Sequence, residues 1–412
     1  MSRKRTILYV GNFSFPYGNA AGKRVYANGR LLRELGYDVI YIGTDKGAGG
    51  PQHLMSTGKE FDGFAYYNFP YPNGNMDWLK FTSLFRGLLG FLSAKNLTES
   101  LCLVIYYGSP SLSLFDTKLI RYCRANKIKV VADCTEWAYA RTGHPLFDAV
   151  RWADTTYQKA YANRRADGVI AISSYLANYY STHGLLTVTI PPLSAVECPF
   201  PEDGRDMKTR PTIAYAGLTF GKSKRIRDCN RLKDRIDKTV ELLCAARRHG
   251  SEFTFNIYGF TKEEYLQAIP SQIQYVEELG PDIAFHGYRP NEEVTQAVAD
   301  SDFTILLRDV SRGTTAGFPT KVSESISCGT PVITTRTSDL EQYIVEGKSG
   351  YFLDLADELR AMEQLQSILA LTANDVRLMK DFCRSANPFY YKKFAEILGE
   401  FVNKVIDDGS LQ

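Results

Sequence analysis

The segment 303–333, FTILLRDVSRGTTAGFPTKVSESISCGTPVI, holds two apolar runs separated by a glycine-bearing loop and a helix-length interval. The first run is partly β-branched and of strand length. The loop that follows carries Gly313, Thr314, Thr315 and Gly317. Pro319 then stands where the first turn of a helix tolerates a missing N–H. A helix over about 319–328 is expected to stop at Gly329, a good left-handed cap residue, before TPVITT resumes as a strand. Such a unit turns its helix N-terminus and Lys321 toward the loop, an arrangement that attracts anions, a diphosphate above all. Glu324, one turn further in, suits a ribose diol. Arg308 and Arg312 bracket the loop with forked cationic donors.

A chain of 412 residues suits two domains of roughly 200 residues each. Its 44% hydrophobic and 23% charged composition is that of a globular protein. The eight cysteines show no CxxC pair and no metal-ligand rhythm, and the five histidines are scattered. The thiols therefore read as reduced, in a cytoplasmic protein with no metal and no bound cofactor. No secretory signal and no membrane-spanning run is visible. Residues 1–200 carry 22 Lys+Arg against 14 Asp+Glu, and the remainder 27 against 32. The basic first half suits an anionic partner, such as a bilayer surface or a lipid-diphosphate acceptor, and no nucleic acid is expected.

Along the chain, strand and helix patterns alternate twice. The first set runs over 1–194 and the second over 212–387, with the Pro- and charge-rich 195–211 between them as a linker. The expected class is α/β, with doubly wound parallel sheets in both halves. An apolar helix near 76–94 is expected to pack on the sheet, a membrane surface being its other reading. A last amphipathic helix, within 388–406, places Phe389, Phe394, Ile397, Leu398, Phe401 and Val405 on its apolar side.

AGFPTKVSESISCGTPVI resembles the donor-site motif of the retaining nucleotide-sugar glycosyltransferases of family 4. A bacterial polysaccharide-type subgroup of that family reads LLRD…R…AGFPTK. The family's usual motif has two glutamates eight positions apart; Glu324 is the second, and Ala316 takes the place of the first. The resemblance implies the GT-B fold, two Rossmann-like domains facing across a cleft, with the last helix packing back on the first domain. It implies a UDP- or GDP-type sugar donor held without a metal, and a glycan, lipid-linked or protein acceptor. It also implies a role in surface polysaccharide synthesis, in the cytoplasm or peripherally on the inner membrane face. AYAGL followed by KDRIDKTVELL resembles the family's Gly–…–Lys segment, which makes Gly217, Lys233 and Arg235 donor-binding candidates beside Arg308, Arg312, Gly317, Lys321 and Glu324. Between these parts, Lys222, Lys224, Arg225 and Arg227 compete for the phosphate role. The loop holding Gly18 matches the one that faces the cleft. Asp133 and Glu136, at a strand's carboxyl end, and His144 are the catalytic candidates on the acceptor side. A non-catalytic partner subunit and a nucleotide-sugar epimerase remain as alternatives.

Overall fold

The structure, a computed structural model, describes residues 5–45, 57–71, 85–108, 113–137, 145–194, 210–217, 229 and 232–407. His144, Lys222, Lys224, Arg225, Arg227 and most of the 195–211 stretch lie outside the described residues. The chain forms two compact units, Met1–Ala195 with Tyr391–Gln412, and Val196–Tyr390.

The first unit is built on eight strands: β1 (Thr6–Gly11), β2 (Asp38–Asp45), β3 (Lys59–Phe61), β4 (Phe64–Pro70), β5 (Leu101–Gly108), β6 (Lys129–Cys134), β7 (Gly168–Ala171) and β8 (Thr187–Thr189). Their order is β3-β4-β2-β1-β5-β6-β7-β8, parallel throughout except for the β3–β4 pair. The central strands are continuous apolar runs because helices cover both faces: Ile7, Leu8 and Tyr9 are wholly buried, with Ile7 opposite Val39 on one side and Leu103 on the other. The helix Ala20–Glu34 starts at Asn19, whose side chain accepts from the Gly22 N–H at 2.8 Å.

Of the apolar stretch near 76–94, the described part is the helix Phe85–Ala94. Its rings face the protein: Phe85 lies 6.2 Å from Phe115, and Phe91 lies 4.5 Å from Tyr67 of β4. Among the described residues no helix is long and apolar enough to cross a membrane.

The second unit holds β9 (Thr212–Ala216), β10 (Thr254–Tyr258), β11 (Ile283–Phe285), β12 (Phe303–Leu306), β13 (Val332–Thr334) and β14 (Gly350–Phe352). They form an all-parallel sheet in the order β11-β10-β9-β12-β13-β14. The expected strand, helix and strand of the 303–333 segment appear as β12, the helix Thr320–Ser327 and β13, and Gly329 takes φ +73° after the helix. The loop between holds a further turn of helix, Arg312–Ala316. Ser311 and Thr314 close it with reciprocal side-chain to backbone bonds of 3.2 and 2.9 Å.

The last helix, Ala395–Asp407, buries Leu398, Phe401, Val402 and Val405 within the first unit. Just before it, the Tyr391 hydroxyl donates to Glu34 at 3.1 Å. Two residues expected on its apolar side are elsewhere. Ile397 is 48% exposed, and Phe389 packs in the second unit at 5.1 Å from Tyr343 and 5.8 Å from Phe318. The chain passes from one unit to the other between Tyr390 and Tyr391, so the apolar side chains of this stretch serve two cores.

Candidate functional site

In the second sheet the connections run outward in one direction from β9 and in the other from β12. The carboxyl ends of these two neighbours, at Gly217 and Arg308, therefore flank the switch point, where open α/β sheets bind ligands. The helix Thr320–Ser327 follows β12 and presents Lys321 in its first turn. Pro319 is its N-cap and supplies no side-chain cap.

Three cation and carboxylate groups converge there. Asp234 accepts from Arg308 Nε at 2.7 Å, from the Tyr215 hydroxyl at 3.0 Å, and from Lys321 Nζ. The Lys321 ammonium also lies 5.1 Å from the centre of the Tyr215 ring. Asp234 and Arg308 are each 7% exposed at the side chain, whereas Lys321 is 25% exposed. Burial alone would raise the Asp234 pKa. Lys321 and Arg308 outweigh it and hold the carboxylate well below the ordinary range.

Two details fix the cations. The Arg308 backbone is stitched to the end of β13: its N–H donates to Thr335 Oγ1 at 3.0 Å, and that hydroxyl donates back to the Arg308 carbonyl at 2.7 Å. Gly217 makes room for the lysine stem, since a Cβ there would lie 2.2 Å from Lys321 Cε and 2.4 Å from Nζ. Arg308 Nη1 is buried and has no hydrogen-bond partner among the described residues. An unsatisfied buried donor costs about 1–3 kcal/mol, so a nitrogen in this position is poised for an acceptor.

The other donor-side candidates separate. Arg235 is buried and committed, with Nε at 3.0 Å and Nη2 at 2.9 Å from Asp237 and Nη1 on Asp309. Asp237, against the cost of burial, and Asp309 raise its pKa further, so its charge is permanent but already neutralised. Lys233 and Arg312 are exposed, Gly317 is buried at the end of the Arg312–Ala316 turn, and Glu324 is half-buried in the helix that carries Lys321. The sequence reading missed Asp234 and Tyr215. The available signal was an acid beside Lys233, just ahead of the helix Ile236–Arg248, but the charged run KDRIDK masks it as a solvated helix start.

In the first unit, Gly18 lies in the β1-to-helix loop, its N–H donating to Ser14 O at 3.0 Å. Asp133 is wholly buried. Its oxygens accept from Arg24 Nη2 at 2.7 Å, from Arg24 Nε at 3.0 and 3.1 Å, and from the Tyr9 hydroxyl. Arg24 Nη1 completes the lock on the carbonyls of Ile190 and Pro191, at 2.9 and 3.3 Å. Such a carboxylate is a structural tie between strand ends, with no face turned to an acceptor. Glu136, two residues past β6, is exposed.

Against known proteins, residues 225–371 match the glycosyl transferases group 1 family. No curated protein matches the chain. Sucrose-phosphate synthase from Thermosynechococcus elongatus superposes with a TM-score of 0.67 at 15% identity, over 98% of this chain and 100% of that one. HepE from Anabaena, solved with UDP, gives 0.63 at 12% identity over 97% and 100%. The pneumococcal O-GlcNAc transferase GtfA, solved with UDP and GlcNAc, gives 0.61 at 14% identity over 98% and 99%. The chain has the GT-B fold. The stretch matched by the glycosyl transferases group 1 model, 225–371, lies within its second unit.

Proposed function

We propose that the protein transfers a sugar from a nucleotide-diphosphate donor, UDP-linked in preference to GDP-linked, to a glycan, lipid-linked or protein acceptor with retention at the anomeric carbon. The observation that carries this reading is the pair of anchored cations at the switch point of the second sheet. Lys321 is partly open, and Arg308 has a buried nitrogen without a partner among the described residues. When the bond from the anomeric carbon to the diphosphate breaks, negative charge gathers on the leaving phosphate. Fixed cations beside a helix N-terminus stabilise that charge without a metal ion. Glu324 is the ribose contact in this reading, and Lys233, exposed at the site's edge, is a further phosphate cation. On the acceptor side the available carboxylate is Glu136, Asp133 being saturated by Arg24 and Tyr9.

UDP bound to HepE and GtfA favours the uridine donor, and the resemblance of the 308–333 motif favours retention. The basic first half, with 22 Lys+Arg against 14 Asp+Glu, favours an anionic bilayer surface as the place of work, in the cytoplasm. Calorimetric titration of metal-stripped protein with UDP and GDP, followed by donor turnover in EDTA, tests the reading. Binding of UDP and an α-configured product from an α-linked donor are expected. Failure to bind either nucleotide would sink it.

A further inference from the structure

A buried carboxylate shared by two cations can serve the fold or the site, and the neighbours of Asp234 distinguish the two. A tie that serves the fold consumes its cation, as Arg24 is consumed by Asp133, Ile190 and Pro191. The cations on Asp234 keep capacity in reserve: Lys321 is a quarter exposed, and Arg308 Nη1 has no partner among the described residues. Without the carboxylate, Lys321 and Arg308 would be two like charges at close quarters. The lysine, on a flexible stem that is a quarter exposed, would swing toward water. The surroundings restrict the carboxylate as well. The Tyr215 hydroxyl fixes one oxygen of Asp234, and its ring lies 5.1 Å from the Lys321 ammonium. The path of the lysine stem exists only because Gly217 lacks a Cβ.

We propose that Asp234 is a positioning residue of the donor site, holding Lys321 and Arg308 at one fixed separation so that both meet the diphosphate together. The proposal rests on the donor reading above. Asp234 itself touches no substrate. It acts through Lys321, and that dependence is what an experiment can read.

In the full-length protein, Asp234→Asn keeps the size of the side chain and removes its charge. With UDP-sugar and UDP as probes, this variant should lose about tenfold or more in kcat/KM, chiefly in kcat because charge builds on the phosphate only in the transition state. UDP, which already carries the charge that the leaving phosphate gains, should bind about tenfold more weakly, and by no more than Lys321→Met loses. Lys321→Met should show a loss at least as large. The double variant D234N/K321M should be no worse than K321M alone within about threefold, because a residue acting through Lys321 has nothing left to position. Multiplying losses, or a folded D234N with wild-type kcat/KM, would overturn the proposal. Should D234N fail to fold, Tyr215→Phe removes only the hydroxyl that orients Asp234. It is expected to lower kcat about threefold, and an unchanged kcat would overturn the proposal equally. Wild-type protein that binds neither UDP nor GDP would instead overturn the donor reading.

Discussion

Each unit places a buried carboxylate and a guanidinium near the carboxyl ends of a parallel sheet, and the two pairs come to opposite ends. Asp133 in the first unit is fully enclosed, and all three guanidinium nitrogens of Arg24 are engaged. Asp234 in the second is nearly as buried, yet one of its cations reaches solvent and the other keeps Nη1 without a partner among the described residues. Burial of the carboxylate is therefore no measure of function. What distinguishes a tie from a site is whether the donors of the partnering cations are all consumed. A closed pair contributes by not being broken, while an open pair is a preorganised receptor for a further anion.

The comparison predicts different losses for equivalent changes. Arg24→Met leaves Asp133 as an uncompensated buried charge and should destabilise the protein by about 3–5 kcal/mol in urea unfolding. Arg308→Met leaves Asp234 held by Lys321 and Tyr215 and should cost only ~1–2 kcal/mol; equal losses would erase the distinction. Lys321→Ala should weaken UDP binding by about 1.5–3 kcal/mol, measured by titration calorimetry, with the thermal transition close to wild type. Gly217→Ala sharpens the point further. The added Cβ meets the far end of a flexible side chain, so the fold should hold while Lys321 is displaced. A roughly tenfold fall in kcat/KM is expected, and a variant with full activity would mean that the lysine works from another position.

A third buried carboxylate, Asp116, sits beside a neutral donor and another acid: Gln158 donates to it at 2.7 Å, and Asp154 lies near. Burial first, and Asp154 with it, push its pKa well above 3.8 against the Gln158 hydrogen bond. Between the unfolded and folded pKa values the folded state holds more protons, so stability falls as pH rises through that window. Asp234 has the opposite sign, its contribution being lost as pH falls. Asp116→Asn should therefore gain stability relative to wild type as pH is raised from about 4 to about 8. A stability difference independent of pH would contradict the assignment.

The sequence by itself determined the elements. Alternating apolar runs and helix-length intervals gave two doubly wound sheets, the stop at Gly329 ended the Thr320–Ser327 helix, and Lys321 fell in that helix's first turn. These features are local, set by periodicity, capping and backbone conformation within a few residues. Tertiary structure alone decided which charges are available. Asp234 meets Arg308 from 74 positions away and Lys321 from 87, and Asp133 meets Arg24 across 109. Arg235, which matches a donor-binding motif in sequence, is neutralised by Asp237 and Asp309, the latter 74 positions away. Phe389 left the expected helix face because the chain changes cores just after it, at Tyr391, and Ile397 stands exposed on the last helix itself. The free valence of a buried ion depends on every partner that folding brings within hydrogen-bond reach, and those partners are not neighbours in the chain.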